Sequence, residues 1–93
     1  MKFYIVWKTK NSCGLLKKDG KIASFSSAEK AMEFALADAE NYAKKGGFHG
    51  QDPKKMKVDS YAPSKISRGV VVMYDTDDCP SDNWIEYMLE SGD

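Results

Sequence analysis

The sequence predicts an α+β domain in which a small antiparallel sheet of four or five strands carries two helices on one face. Three observations lead to this prediction. Short segments rich in β-branched and aromatic residues alternate with turn signals. Apolar residues recur at helical spacing in the middle of the chain, and a shorter segment with the same spacing lies near its end. The predicted order is β-β-β-α-β-β-α, and strands joined by short turns indicate antiparallel pairing with both helices on one side. The length fits one domain, residues 1–93.

The first three strands lie before residue 26. Residues 3–8 are aromatic or β-branched except for the last, a lysine, which predicts a strand. Both faces of this strand would be largely apolar, so an interior position in the sheet is expected. Asp19-Gly20 then joins residues 15–18 to residues 21–25. Both positions of a two-residue type I′ turn need positive φ, which aspartate and glycine tolerate, so this dipeptide predicts a hairpin.

The central helix is predicted at residues 27–45. Ser26 and Glu29 have the spacing of a capping box, in which the hydroxyl accepts the amide three residues on. An alanine-rich apolar stripe follows at helical spacing, which lets a helix lie close to a sheet. Gly46-Gly47 predicts the end of the helix.

The second half is predicted to contain two strands and a helix. Residues 56–61 alternate in polarity, and residues 68–74 form a strongly apolar run that indicates a strand buried within the sheet. Pro80 suits a first helical turn. Trp84, Ile85, Met88 and Leu89 share one helical face, so a short final helix is expected to end at Gly92.

Composition narrows the class of protein. Hydrophobic residues at 42% and charged residues at 30% fit a soluble globular domain. No apolar run approaches the ~20 residues of a membrane span, and no signal peptide is expected after Met1. Two cysteines, Cys13 and Cys79, do not form a disulfide framework, so the expected location is the reduced cytoplasm.

The formal net charge of zero conceals a division along the chain. Residues 1–57 hold twelve lysines and six acids, whereas residues 58–93 hold two cations and eight acids. Thirteen of the fourteen cations are lysine, with Arg68 the exception. Because lysine is a point charge without the bidentate fork of arginine, nucleic-acid contacts would be mainly to the backbone.

Catalytic and metal chemistry is not expected. His49, Cys13 and Cys79 lack the paired spacing of a zinc site, and nothing in their spacing favours a Cys–His nucleophile. Asp75, Asp77 and Asp78 follow a strand and could bind Mg²⁺, but a helix-capping turn is the favoured interpretation. The sequence therefore predicts neither an enzyme nor a cofactor.

Two features favour nucleic-acid binding. The first is the lysine- and aromatic-rich amino-terminal face, with Trp7 nearby, and the second is the glycine-flanked Phe48 loop between lysine pairs. Each feature also has a purely structural interpretation. The lysines would prevent aggregation through exposed strand edges, and Phe48 would pack beneath its own loop. The candidate nucleic-acid-binding residues are Lys2, Tyr4, Lys8, Lys10, Lys17, Lys18, Lys21, Lys44, Lys45, Phe48, Lys54 and Lys55.

The amino-terminal third resembles the hybrid-binding domain of eukaryotic ribonuclease H. The resemblance lies in residues 3–8, Gly14-Leu15 and residues 25–34, within a stretch of at most residues 3–36. That family opens with an F-Y-x-V-like strand and enters its helix through a phenylalanine followed by an S/T-x-x-E-A segment. The family's W-x-E-C helix is missing here, and Ala23-Ser24 stands where it has a basic pair, so no binding residue transfers. The resemblance implies a sheet-plus-helix start and an RNA-facing sheet.

Two functions from different classes are expected. The first is a small non-enzymatic module that binds nucleic acid, in particular RNA, through the lysine-rich half. The alternative is a protein-binding regulator or inhibitor, such as a phage-type inhibitor of a host nuclease or toxin, acting through the Phe48 loop or an acidic patch. The acidic candidates for partner binding are Asp75, Asp77, Asp78, Asp82, Glu86 and Glu90. The division of charge also permits self-association into a homo-oligomer.

Overall fold

The computed structural model describes residues 1–47, 50–65, 67–74 and 83–92. Within them lie seven strands and one α-helix. The strands are β1 (Lys2–Lys8), β2 (Cys13–Leu15), β3 (Lys17–Lys18), β4 (Lys21–Ile22), β5 (Met56–Tyr61), β6 (Gly69–Tyr74) and β7 (Trp84–Gly92). The helix α1 spans Ala28–Lys44, and a 3₁₀ turn at Pro53–Lys55 precedes β5.

Five strands form one antiparallel sheet in the order β2-β1-β7-β6-β5. Its centre is β7, which pairs with β1 on one side and β6 on the other, so that Ile5 lies opposite Leu89 and Val72 opposite Ile85. The helix α1 packs across one face, chiefly over β6. The predicted α+β class and antiparallel sheet are confirmed.

The predicted second helix is wrong, because its residues form β7. Trp84, Ile85, Met88 and Leu89 satisfy helical spacing, but Ile85, Tyr87 and Leu89 also alternate, and these three side chains are buried. Two strand partners from distant parts of the chain satisfy the backbone hydrogen bonds of β7 on both sides. A helix there would leave β1 and β6 without the strand that joins them.

The predicted hairpin is present and interrupts an edge strand. Asp19 and Gly20 have φ values of 54° and 79°, and β3 pairs with β4 across them. The Leu16 amide still donates to the Ile5 carbonyl at 2.8 Å. After the hairpin the chain returns to β1 through paired bonds between Phe25 and Phe3. The hairpin is therefore an excursion from the strand that flanks β1.

Helix α1 begins one residue later than the capping box predicts. The N-cap is Ser27 rather than Ser26, and its hydroxyl accepts the Lys30 amide at 3.2 Å. Gly46 follows the C-cap with φ of 76°, which confirms the predicted end.

The core lies between α1 and the sheet. Three alanines at positions 31, 35 and 39 are fully buried, and their small side chains bring the helix close to the strands. From the sheet, Ile5, Val70, Val72 and Tyr87 complete the core. No helix among the described residues is long and apolar enough to cross a membrane.

Candidate docking face of the sheet

The sheet face opposite α1 is uncovered by any helix of the described chain and is here called the helix-free face. Side chains alternate between the two faces along each strand, so the neighbours of buried Ile5, Val72 and Tyr87 point away from α1. Five apolar residues placed on this face, Leu15, Val6, Met88, Val71 and Met73, are here called the apolar centre, and Trp84 lies on the same face opposite Met73.

The apolar centre is partly open to solvent. Leu15 and Met73 retain 38% and 42% of their exposure, whereas Val6, Val71 and Met88 are half-buried. Val6 lies opposite both Leu15 on β2 and Met88 on β7, so an apolar row crosses three adjacent strands. An apolar row that stays partly open to solvent is compatible with an interaction surface.

Charges of both signs lie around and within the apolar centre, because Glu86 stands between Met88 and Trp84 on the same face of β7. Lys8 on β1 lies opposite Glu86 on β7, and Tyr4 lies opposite Glu90. On β5, Lys57 and Asp59 occupy alternate positions of the same face. The charged residues placed on the helix-free face are Lys2, Lys8, Lys57, Asp59, Glu86 and Glu90. The cationic and anionic halves of the sequence therefore interleave on one surface.

A hydrogen bond between β5 and β7 crosses the start of β6 on this face. The Tyr61 hydroxyl donates to Glu86 Oε2 at 2.7 Å. Gly69 lies between them, and a Cβ there would be 2.3 Å from Tyr61 Oη. Burial, reinforced by the carboxylate of Glu86, raises the pKa of Tyr61 to about 12. The tyrosine is thereby kept neutral over the physiological range.

The structure brings together residues that the sequence assigns to two different sites. Lys2, Tyr4 and Lys8, candidates for nucleic-acid binding, share the helix-free face with Glu86 and Glu90, candidates for partner binding.

Trp7 does not join that face. It lies on the helix side with its indole ring against Gly14, where a Cβ would be 3.0 Å from Trp7 Cζ2. Tyr4 is therefore on the helix-free face, whereas Trp7, which the sequence places near the same lysines, is not.

The remaining amino-terminal lysines lie elsewhere. Lys10 is exposed in the turn between β1 and β2. Lys17, Lys18 and Lys21 belong to the β3–β4 hairpin, and Lys18 Nζ is 5.9 Å from the centroid of the Phe34 ring on α1. These three lysines are thus separate from the helix-free face.

Four further lysines flank one closed loop and are here called the basic loop cluster. They are Lys44, Lys45, Lys54 and Lys55, and all four are exposed. The Gln51 amide donates to the Gly46 carbonyl at 3.0 Å, which closes the loop between the two lysine pairs.

Asn83, just before β7, holds that loop against the sheet by hydrogen bonds. Its Nδ2 donates to the Gly46 carbonyl at 2.9 Å and to Gln51 Oε1 at 2.6 Å, and its Oδ1 accepts the Tyr42 hydroxyl at 2.9 Å. Asn83 is completely buried. Sequence reasoning missed this residue, because the final segment is predicted as a helix from Pro80 and gives Asn83 no role there.

Several candidates fall outside the described residues. They are Phe48, Asp75, Asp77, Asp78 and Asp82, together with His49 and Cys79. In the part of the chain that the structure describes, no three histidine, cysteine or acidic side chains are grouped to hold a metal ion.

Comparison with known proteins gives no relative. No family model, curated protein or solved structure matches the chain. The arrangement of the helix-free face is therefore the basis on which a function is inferred.

Proposed function

We propose that the protein is a non-enzymatic, cytoplasmic protein-binding module and that its helix-free face is the docking surface. The observation that carries the proposal is the apolar centre, which is partly exposed and bordered by charges of both signs. Specific protein interfaces combine an apolar, well-packed core with a polar rim. The partner is therefore a folded protein with an apolar patch and complementary charges.

The charge distribution favours a protein over a nucleic acid at this face. Phosphate backbones are bound by surfaces with a clear excess of lysine and arginine. On the helix-free face Lys8 is next to Glu86, and Lys57 is followed by Asp59, so cations and anions balance. A nucleic acid bound there would meet a carboxylate close to Lys8 and another close to Lys57. A protein surface can instead carry charges that complement both signs.

The exposed methionine supports the same assignment. Met73 projects from β6 at 42% exposure, opposite half-buried Trp84 on β7, and Met88 lies farther along the same face. Flexible thioether side chains adapt to the shape of a partner and are frequent on protein-binding surfaces.

Met73→Lys tests this proposal because it affects the two partner classes in opposite directions. It removes an apolar contact from the helix-free face and adds a positive charge. Ile22→Lys is the matched control, since Ile22 is 53% exposed but lies on the β3–β4 hairpin. Tagged wild type and both variants are used to isolate partners from a native lysate treated with nuclease.

The expected result is one protein retained by wild type and Ile22→Lys and lost with Met73→Lys. The same affinity difference is expected with the purified partner. Equal retention by all three forms, or partner loss with the hairpin control as well, would contradict the assignment. Tighter RNA binding by Met73→Lys, with nuclease-sensitive recovery, would instead indicate a nucleic-acid face.

A second candidate function, RNA binding, is supported by the basic loop cluster. Its lysine pairs are held at the two ends of a loop that Gln51 and Asn83 close. The resemblance of residues 3–36 to a hybrid-binding domain implies an RNA partner as well.

A salt series of RNA binding tests that candidate. Lys44→Glu/Lys45→Glu should abolish a steep decrease of affinity with salt, whereas Lys17→Glu/Lys18→Glu on the hairpin should leave it in place. No binding by wild type at low salt would remove the candidate.

A further inference from the structure

Strand β5 forms one edge of the five-stranded sheet. Its inner side pairs with β6 along all six residues from Met56 to Tyr61, and no described strand lies on its outer side. In an antiparallel sheet, an edge strand directs the N–H and C=O groups of alternate residues outward. The outer edge of β5 is therefore available to a further strand.

The charges along β5 are arranged symmetrically around one residue. Lys57 and Asp59 flank Val58, and both are exposed on the helix-free face, while Val58 is half-buried on the helix side. We propose that two copies of this chain pair antiparallel through β5, about a twofold axis that passes by Val58. This pairing joins two sheets into one of ten strands, with both helices on the same face.

Only one such register sets Lys57 opposite Asp59. A twofold axis centred on Lys57 would set that lysine opposite its own copy, and an axis centred on Asp59 would set two carboxylates opposite each other. Centring on Val58 places Lys57 opposite Asp59 of the second copy, and does so twice. Opposite charges in directly facing positions stabilise a strand pair, whereas like charges destabilise it.

The groove beside β5 fits the same arrangement. It has a volume of about 880 Å³ and lies between α1 and the end of β5, with Met32, Leu36 and Val70 among its apolar walls. Leu36 retains 40% of its exposure there.

A second copy would cover this groove from the open side. Three strand spacings separate β6 from β6 of the second copy, which is roughly 14 Å at ~4.8 Å per spacing. A helix with its side chains is ~10–12 Å wide. The two copies of α1 therefore fit side by side above the paired strands. Because the pairing is antiparallel, Ser60 and Tyr61, which line the groove, lie opposite Met56 and Lys55 of the second copy, so each groove faces the start of the other β5.

Charge reversal and exchange test the proposed dimer. Sedimentation equilibrium would be measured over a range of protein concentrations for wild type, Lys57→Asp, Asp59→Lys and the double exchange Lys57→Asp/Asp59→Lys. Circular dichroism of each variant checks that the monomer is folded. In the proposed register the two single variants create like-charge pairs, and the exchange restores opposite ones.

The expected result is a monomer–dimer equilibrium for wild type, weakening of about tenfold for each single variant, and recovery in the double exchange. A wild type that is monomeric at all concentrations would overturn the proposal. So would single variants that associate like wild type, a double exchange as weak as the singles, or growth beyond the dimer, which indicates head-to-tail assembly. None of these outcomes depends on the partner of the helix-free face.

Discussion

Lys8, the last residue of β1, lies directly opposite Glu86 on the central strand β7. The two residues come from the cationic and the anionic part of the sequence, 78 positions apart. Their pairing shows that the charge division along the chain does not become two opposed surfaces at this point. The helix-free face is mixed in charge because β7 folds between β1 and β6.

Reversing the charge of Lys8 should destabilise the β1–β7 pair. Lys8→Glu sets two carboxylates opposite each other, which should lower the free energy of unfolding by about 0.5–1 kcal/mol. Lys10→Glu, in the turn between β1 and β2, makes the same charge change away from that strand pair. Urea unfolding at low and high salt measures both. A loss as large in Lys10→Glu, or one that salt does not reduce, would argue against a pairwise effect.

Gly69 should tolerate no side chain. A Cβ there would lie 2.3 Å from Tyr61 Oη and 2.5 Å from the Tyr87 carbonyl, so both a side chain and the backbone would have to move. Gly69→Ala should therefore cost about 2–3 kcal/mol of stability, at the upper end of overpacking effects. Gly92→Ala on β7 is the matched control, since its Cβ would be 3.8 Å from the Tyr4 ring. Thermal unfolding that ranks the two variants equally would contradict the Tyr61 placement.

Loss of Asn83 should open the loop that carries the basic loop cluster. Asn83→Ala removes the side-chain amide that donates to the Gly46 carbonyl and to Gln51 Oε1. Because these acceptors lose that donor, the free energy of unfolding should decrease by about 2–4 kcal/mol. Asn41→Ala, on the exposed side of α1, should have little effect. Hydrogen exchange should increase at Gly46, Gly47, Gly50 and Gln51 in the first variant only. Unchanged exchange there would show that Asn83 does not hold the loop.

Stability should decrease at alkaline pH because of Tyr61. Its pKa is raised to about 12 in the folded protein, mainly by burial, whereas an unfolded tyrosine ionises near pH ~10. A raised pKa contributes stability that is complete below pH ~10 and is lost as the pH rises toward 12. Burial and Asp38 raise the pKa of Tyr87 in the same direction.

The absorbance of tyrosinate near 295 nm should show the late titration of Tyr61. Tyr61→Phe should remove the component at about pH 12 and make the alkaline loss of stability less steep. If Tyr61→Phe instead removes a component that titrates near pH ~10, the buried bond to Glu86 is not formed in solution.

The elements defined by local patterns were predictable from the sequence. Residues 56–61 coincide with β5, the Asp19-Gly20 hairpin is present, and α1 differs from the predicted 27–45 by one residue at each end. Each of these depends on a turn dipeptide, a cap or an alternation within a short window. The N-cap shifted from Ser26 to Ser27 because two neighbouring serines satisfy nearly the same local rule.

The last element and the composition of the helix-free face required long-range information. Trp84, Ile85, Met88 and Leu89 fit a helix as well as a strand, and the choice depends on β1, more than seventy residues away. Once β7 is a strand, Met88 moves from a predicted helix core to the apolar centre. Pairing between distant segments is invisible to a window of sequence, so neither the face nor its balanced charge could be foreseen.

Photo-crosslinking from Tyr4 tests the central claim most directly, because Tyr4 lies on the helix-free face beside Val6 and opposite Glu90 of β7. A benzophenone amino acid would replace Tyr4 in one variant and exposed Ala37 on α1 in another, and both would be irradiated in cells. A protein docked on the helix-free face predicts a discrete, nuclease-resistant protein adduct from position 4 and none from position 37. Nuclease-sensitive adducts from position 4, or the same adduct from both positions, would contradict the claim.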